Sequence, residues 1–295
     1  MAKSALLKSS IAKKYWMALT GLFLCLFLAG HLAGNLQLIF GTSQDFNEYA
    51  LFMTTNPAVK ILSYLTYISI IFHAIDGILL TIQNKKARPI AYAKTNPSAN
   101  SGFASRNMAV LGTLILVFIV THMVNFWAKM HFDENMPLVA KEMDNGMGQK
   151  QLQLVGTKDS PMKFIFANGE RVISSKFIED IKTQSNGTYD LELKDRRILI
   201  NKVTGDIIFI GYKDLHKLTF DFFRDPKIGL IATLGYVLAM LTLAFHLWHG
   251  FQSAFQSLGA TSPKITPIVQ LFGKLFSVLV PLLFAIIPLY IHFSK

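Results

Sequence analysis

The chain has 295 residues, 52% of them apolar, and a formal net charge of +11. A mean hydropathy of +0.38 is too high for an ordinary soluble domain and fits a polytopic membrane protein. A single cysteine, Cys25, excludes an internal disulfide and an iron–sulfur cluster held by this chain alone.

Five runs reach the roughly 20 apolar residues that a helix needs to cross a bilayer. They lie near 15–40, 60–83, 107–128, 227–252 and 266–292. The first follows a basic leader, MAKSALLKSSIAKK, as a signal peptide would. Its apolar run from Tyr15 to Phe40 exceeds the roughly 7–15 residues of a signal h-region, so it reads as an uncleaved anchor. Lys3, Lys8, Lys13 and Lys14 precede this span with no acid among them. Lys85, Lys86, Arg88, Lys94 and Arg106 follow the second span, again without an acid, and Lys264 separates the fourth from the fifth. The positive-inside rule places these segments in the cytoplasm. The loop 41–59, with Asp45 and Glu48 and no Lys or Arg, then faces outward, as does the C-terminus. Topology and anionic lipid account for the basic excess, and no nucleic-acid partner is needed.

Residues 129–226 mix acids and bases and break the hydropathy pattern. KFIFANGERVISS and ILINKVTGDIIFIG read as β-hairpins with Asn-Gly and Thr-Gly-Asp turns, and SNGTYDLELKDRR as a further turn and strand. Asn186-Gly187-Thr188 matches a glycosylation sequon but reads better as a turn. The expected organisation is therefore spans 1–3 in residues 1–128, a small β-rich extracytoplasmic insert in 129–226, and spans 4–5 in 227–295.

Four spans each carry one histidine: His31 in FLAGHLAGNL, His73 in IIFHAIDGI, His122 in FIVTHMVNFW and His246 in LAFHLWHGF. An ionisable group inside a membrane needs a pairing or functional reason. A lone membrane histidine commonly hydrogen-bonds a neighbouring helix, but four on four helices are what two bis-imidazole haems require. At about 1.5 Å of rise per residue, His31 and His122 both fall towards the outer side, and His73 and His246 towards the inner side. Depth thus pairs His31 with His122 and His73 with His246. A weak internal similarity places Gly21 and Gly112 each ten residues before a histidine.

His249, three residues after His246, is an alternative ligand on the same helix. Asp76 follows His73 at the same spacing and falls at a similar depth to His249. These two are expected to pair, or else to contact haem propionates. His131 and His216 read as surface residues and His292 as interfacial. Asn35 and Asn125 either hydrogen-bond near the outer pair or pack helices. Lys13, Lys14 and Arg106 serve propionates or topology alone. Tyr15, Trp16 and Trp127 read as interfacial aromatics.

The segments ALTGLFLCLFLAGHLAGN, FHAIDG, LGTLILVFIVTH and HLWHGFQSAFQSLG resemble the cytochrome b membrane-anchor subunit of succinate:quinone oxidoreductases in its five-helix, two-haem form. The resemblance covers the five helices and not the 129–226 insert. Its axial positions fall on His31, His73, His122 and His246. The fourth motif, a His followed four residues later by Gly, fits His246 with Gly250 and not His249. It implies an all-α membrane fold, a haem-binding bundle of five transmembrane helices interrupted by the β-rich insert, in the bacterial inner membrane. It also implies two haem b groups, a quinone (menaquinone or ubiquinone), and flavoprotein and iron–sulfur subunits that hold the dicarboxylate chemistry. This chain would relay electrons between the iron–sulfur subunit and the quinone, with His73 and His246 on the proximal haem and His31 and His122 on the distal one. The resemblance puts the quinone near the distal haem with a proton-exchanging acid. Glu48, near Asp45, Asn47 and Tyr49, is the residue that fits, although a solvated loop carboxylate explains it equally. The insert would cap the distal haem, shield a quinone site or bind an outer partner, a plain structural cap being favoured. The rival expectations are a di-haem cytochrome b of another quinone-linked dehydrogenase and a haem-free transporter or assembly protein.

Overall fold

The computed structural model describes residues 9–87, 101–133 and 207–294 continuously, and between 138 and 205 the strands with a few flanking residues. Five helices are long and apolar enough to cross a membrane: Ile11–Phe40, Pro57–Lys86, Met108–Phe132, Gly229–Ser257 and Ile265–Phe293. Each matches an expected span, extended by a few residues at one or both ends. Lys3, Lys8, Arg88 and Lys94 lie outside the described residues.

The helices begin and end where local chemistry dictates. Helix α1 (Ser10–Asn35) is capped by Ser9, whose hydroxyl accepts from the Ala12 amide. The short α2 (Gln37–Phe40) completes the first span. After α3 (Ser43–Thr55), α4 (Pro57–Lys86) starts on Asn56, whose side chain accepts from the Ala58 and Val59 amides. Pro57 sits at the first position, where no amide hydrogen is needed. Lys85 and Lys86 close α4 against the negative end of the helix dipole.

The third span is α5 (Phe103–Arg106) leading into α6 (Met108–His122), a π-helical segment (Met123–Ala128) and α7 (Lys129–Phe132). The wider turn begins directly after His122, and single wide turns of this kind gather at functional positions. The fourth and fifth spans are α9 (Gly229–Ser257) and α10 (Ile265–Phe293), preceded by α8 (Leu215–Arg224).

By packing, the chain divides into two compact units: residues 1–40, 55–121 and 223–295, and residues 41–54 with 122–222. In the first, α4 lies along α1, and α9 lies along α1 and α10. Its core is Cys25, Met240, Leu243, Leu247 and Phe251, with Phe118, Phe276 and Phe284 against it. A Cβ on Gly273 would lie 2.7 Å from Phe251 Cδ1, so glycine sets how closely α9 and α10 approach. Outward positions stay apolar: Leu26 is 71% exposed, Ile231 71% and Ile268 68%. That pattern would be a liability in water and is what lipid requires. The far end of α10 is clasped to the start of α9. Arg224 donates to the Ile291 carbonyl (2.9 Å) and to the Ser294 carbonyl (2.9 Å), and His292 Nδ1 lies 2.7 Å from the Phe223 carbonyl. His292 therefore ties two chain segments together, a role beyond the interfacial position expected of it.

The second unit holds nine strands between 138 and 213, β1 (Leu138–Ala140), β2 (Met143–Asp144), β3 (Lys150–Gln151), β4 (Gln153–Val155), β5 (Met162–Phe166), β6 (Gly169–Ile173), β7 (Leu191–Lys194), β8 (Ile198–Asn201) and β9 (Ile207–Lys213). Seven form one sheet in the order β6-β5-β4-β1-β9-β8-β7, and β2 and β3 form a two-stranded one. The expected hairpins are β5–β6, closing at Phe166 against Gly169, and β8–β9. Gly205 takes φ +77° in the Thr-Gly-Asp turn, a conformation glycine adopts freely. The buried Asn201 side chain accepts from the Val203 amide (3.1 Å) and the Asp190 amide (3.3 Å), which ties this turn to the start of β7. Of the sequon, Asn186 has φ 50°, and Gly187 and Thr188 lie outside the described residues.

Candidate functional site

Helices α1, α4, α6 and α9 build one site from the residues expected at the inner depth. His73 on α4 places Nδ1 3.2 Å from the Met17 carbonyl and 3.3 Å from Thr20 Oγ1, both on α1. A carbonyl only accepts, so this contact assigns the proton to Nδ1 and leaves the Nε2 lone pair open. The His246 ring on α9 faces it, with centroids 6.2 Å apart and planes at 67°. His246 Nδ1 is buried without a hydrogen-bond partner. Nearly all buried polar atoms find partners, so an open imidazole nitrogen here is a donor atom awaiting a ligand.

Glycines accommodate both rings. A Cβ on Gly21 would lie 3.1 Å from His73 Cε1, and one on Gly112 would lie 3.7 Å from His246 Cε1. The two glycines singled out for their spacing before His31 and His122 thus border the other two histidines. Sequence reasoning missed this, and it missed Met17 and Thr20. The repeated ten-residue spacing was the available signal, but it pointed at the wrong partners.

The geometry fits a metal-centred planar group. A metal–imidazole nitrogen bond is about 2 Å and a ring centre lies roughly 1.1 Å behind its nitrogen, so two imidazoles on opposite sides of one metal stand about 6 Å apart. The His73–His246 separation matches. The Met17 carbonyl supplies the second hydrogen bond that fixes the tautomer and aim of a ligating imidazole.

His31 and His122 fall in different compact units, and each is placed within its own. The His31 ring stacks on Phe27 (5.3 Å, 13°) and leans on Phe284 (5.6 Å). Asn35 Nδ2 lies 3.3 Å from His31 Nδ1 and donates to the His31 carbonyl at 2.8 Å. Asn35 therefore meets its histidine, one of the two roles expected of it. His122 ends α6, with the Phe126 ring 5.2 Å away, and Asn125 lies within the wide turn.

Asp76 and His249 do not form the expected pair. The charged groups that act on Asp76 are Lys13 and His73, and among the described residues no ion pair joins Asp76 to His249. Depth placed the two at one level, but α4 packs along α1, so Asp76 meets the basic leader of the first span.

Glu48 lies exposed on α3, where Gln44 Nε2 donates to it at 3.2 Å. Its neighbours have local duties. Thr42 and Asp45 cap α3 reciprocally: Asp45 Oδ2 accepts from the Thr42 amide (3.0 Å) and hydroxyl (2.7 Å), and the Asp45 amide donates back (3.1 Å). The Thr42 hydroxyl holds the Asp45 carboxyl below its ordinary value. Asn47 is 1% exposed; it donates to Asp214 (2.8 Å) and accepts from the His216 amide (3.0 Å), so it fastens α3 to the start of α8. His216 stacks on Phe220 (4.1 Å), and His131 meets the Trp127 carbonyl (2.8 Å) and ring (4.5 Å). Both histidines are more engaged than the surface role expected of them.

No protein family, curated protein or solved structure matches this chain.

Proposed function

We propose that this chain is a di-haem cytochrome b that anchors a succinate dehydrogenase or fumarate reductase in the bacterial cytoplasmic membrane. The facing of His73 and His246 across 6.2 Å, with His73 held by the Met17 carbonyl, is the observation that carries the reading. One histidine in each of four spans and the quoted sequence segments support it. In this reading His73 and His246 hold the inner haem b, and His31 and His122 the outer one.

When bound, the haems supply two one-electron centres. The chain's own residues do the rest. Met17 and Thr20 keep the His73 proton on Nδ1, so Nε2 is the nitrogen offered. Gly21 and Gly112 leave room for the rings. Two axial histidines per site leave no open position, which suits electron relay rather than oxygen chemistry. The basic leader and the loop after α4 face the cytoplasm, where flavoprotein and iron–sulfur subunits dock and carry the dicarboxylate chemistry. The membrane quinone is the other electron partner, and Glu48 is the acid assigned to its protons.

The test is a dithionite-reduced minus oxidised spectrum of the purified chain, with haem quantified per polypeptide. Two b haems are expected, falling to one when His31, His73, His122 or His246 is replaced singly. A folded chain without haem sinks the proposal and leaves a transporter or assembly protein. A soluble partner of another type in the purified complex would assign the chain to a different quinone-linked dehydrogenase.

A further inference from the structure

Lys274 is a cation in the wrong place for a simple span. It lies nine residues into α10 (Ile265–Phe293), exposed, between Phe272 (56% exposed) and Leu275 (51% exposed). Those neighbours mark a lipid-facing surface. Among the described residues Lys274 forms no ion pair, and the group beside it is the Trp248 ring, 5.9 Å from Nζ, itself 47% exposed on α9. A charge facing lipid needs a partner or a route to the interface.

Helix geometry supplies the route. A 29-residue helix is about 43 Å long, against a hydrocarbon core of about 30 Å, so roughly 7 Å extends beyond each boundary. The Lys274 backbone, about 13 Å from the start of α10, then lies roughly 7 Å inside the core. Side chains lean towards a helix's N-terminus, which for α10 is the nearer boundary. A lysine stem of about that reach brings Nζ to the level of the lipid phosphates. Trp248 lies nine residues before the end of α9 at Ser257, at a matching depth on the neighbouring helix. Exposed Lys264 precedes α10 at the same end of the bundle.

We infer that Lys274 and Trp248 form a lipid site that takes the phosphate of an anionic phospholipid. The ammonium supplies the charge, the indole face orients it, and Phe272 and Leu275 lie against the acyl chain. This inference is independent of whether the chain binds haem.

The test uses the full chain in nanodiscs of phosphatidylglycerol or phosphatidylcholine, with retained lipid counted by mass spectrometry after mild delipidation. About one phosphatidylglycerol per chain should persist, phosphatidylcholine should not, and the thermal midpoint should be higher in phosphatidylglycerol. Lys274→Arg should keep both effects. Lys274→Met and Trp248→Leu should lose them, with the far-UV circular dichroism unchanged. Equal retention of the two lipids by the unaltered chain overturns the site without recourse to any variant. Retention of phosphatidylglycerol by Lys274→Met at the unaltered level also overturns it. So does a Lys274→Met variant that loses only a co-purifying protein, since Lys274 would then serve a protein carboxylate.

Discussion

The inner histidine pair and the α3 helix both concentrate polar side chains beside apolar chain, and they treat them in opposite ways. On α3 the side chains are satisfied locally or by one neighbour: Asp45 by Thr42, Glu48 by Gln44, Asn47 by Asp214 and the His216 amide. At the inner pair, four helices converge to hold one ring by its Nδ1, leave the other ring's Nδ1 open, and clear space around both. Polar groups that answer one another build a joint. Polar groups held in place but left open await a ligand. The contrast argues for ligand chemistry at His73 and His246 and for architecture at Asp45 and Asn47.

The contrast can be broken most forcefully at the rings. His246→Ala should remove one of two haems while His249→Ala removes neither, read from the pyridine haemochrome; equal loss in the two would move the ligand to His249. Gly21→Leu should come next. Its Cβ would meet His73 Cε1 at 3.1 Å, so the ring must shift, at about 1–3 kcal/mol of overpacking. Haem content should fall towards one per chain, whereas Gly112→Leu, with a 3.7 Å approach at Cβ, should lose less. An unaltered spectrum in Gly21→Leu would show that the ring clearance is incidental.

The other side of the contrast is sharpened by smaller effects. Asn47→Ala removes two hydrogen bonds at a site with 1% exposure and should cost about 1–3 kcal/mol, seen as a lower thermal midpoint with both haem bands intact. A lost haem band there would join α3 to the ligand chemistry. Asp45→Asn should do least. The Asp45 carboxyl is held below its ordinary value of 3.8, so its contribution is complete above about pH 4 and fades as pH falls through the lower, folded value. The thermal midpoint of the unaltered chain should therefore drop more steeply below pH 4 than that of Asp45→Asn; parallel curves would remove Asp45 from the cap.

The spans were legible because a bilayer imposes a length of apolar chain and nothing subtler. The hairpins were legible because Asn-Gly and Thr-Gly-Asp are turn chemistry that few other structures demand. His73 and His246 were paired correctly from depth alone, since rise per residue is nearly constant. The same reasoning failed for Asp76 and His249, because contact also depends on direction around the helix axis and on which helices are neighbours. Lys13, from a leader read only as a topology signal, turned out to be the nearby cation. Gly21 and Gly112 were noticed but not understood: a glycine in an apolar helix serves many ends, and only the placement of a ring on the next helix says which.

The wide turn after His122 makes the length of the third span a rotational setting. An α-helix advances about 100° per residue, and a six-residue π segment lags it by roughly one residue in all. Deleting any one residue between 123 and 128 would let the segment close as ordinary α-helix and swing Lys129–Phe132 by about 100° relative to His122. As such sequences diverge, a one-residue gap in this stretch should therefore be rarer than any single substitution there, since a substitution changes one side chain and a gap re-aims all that follow.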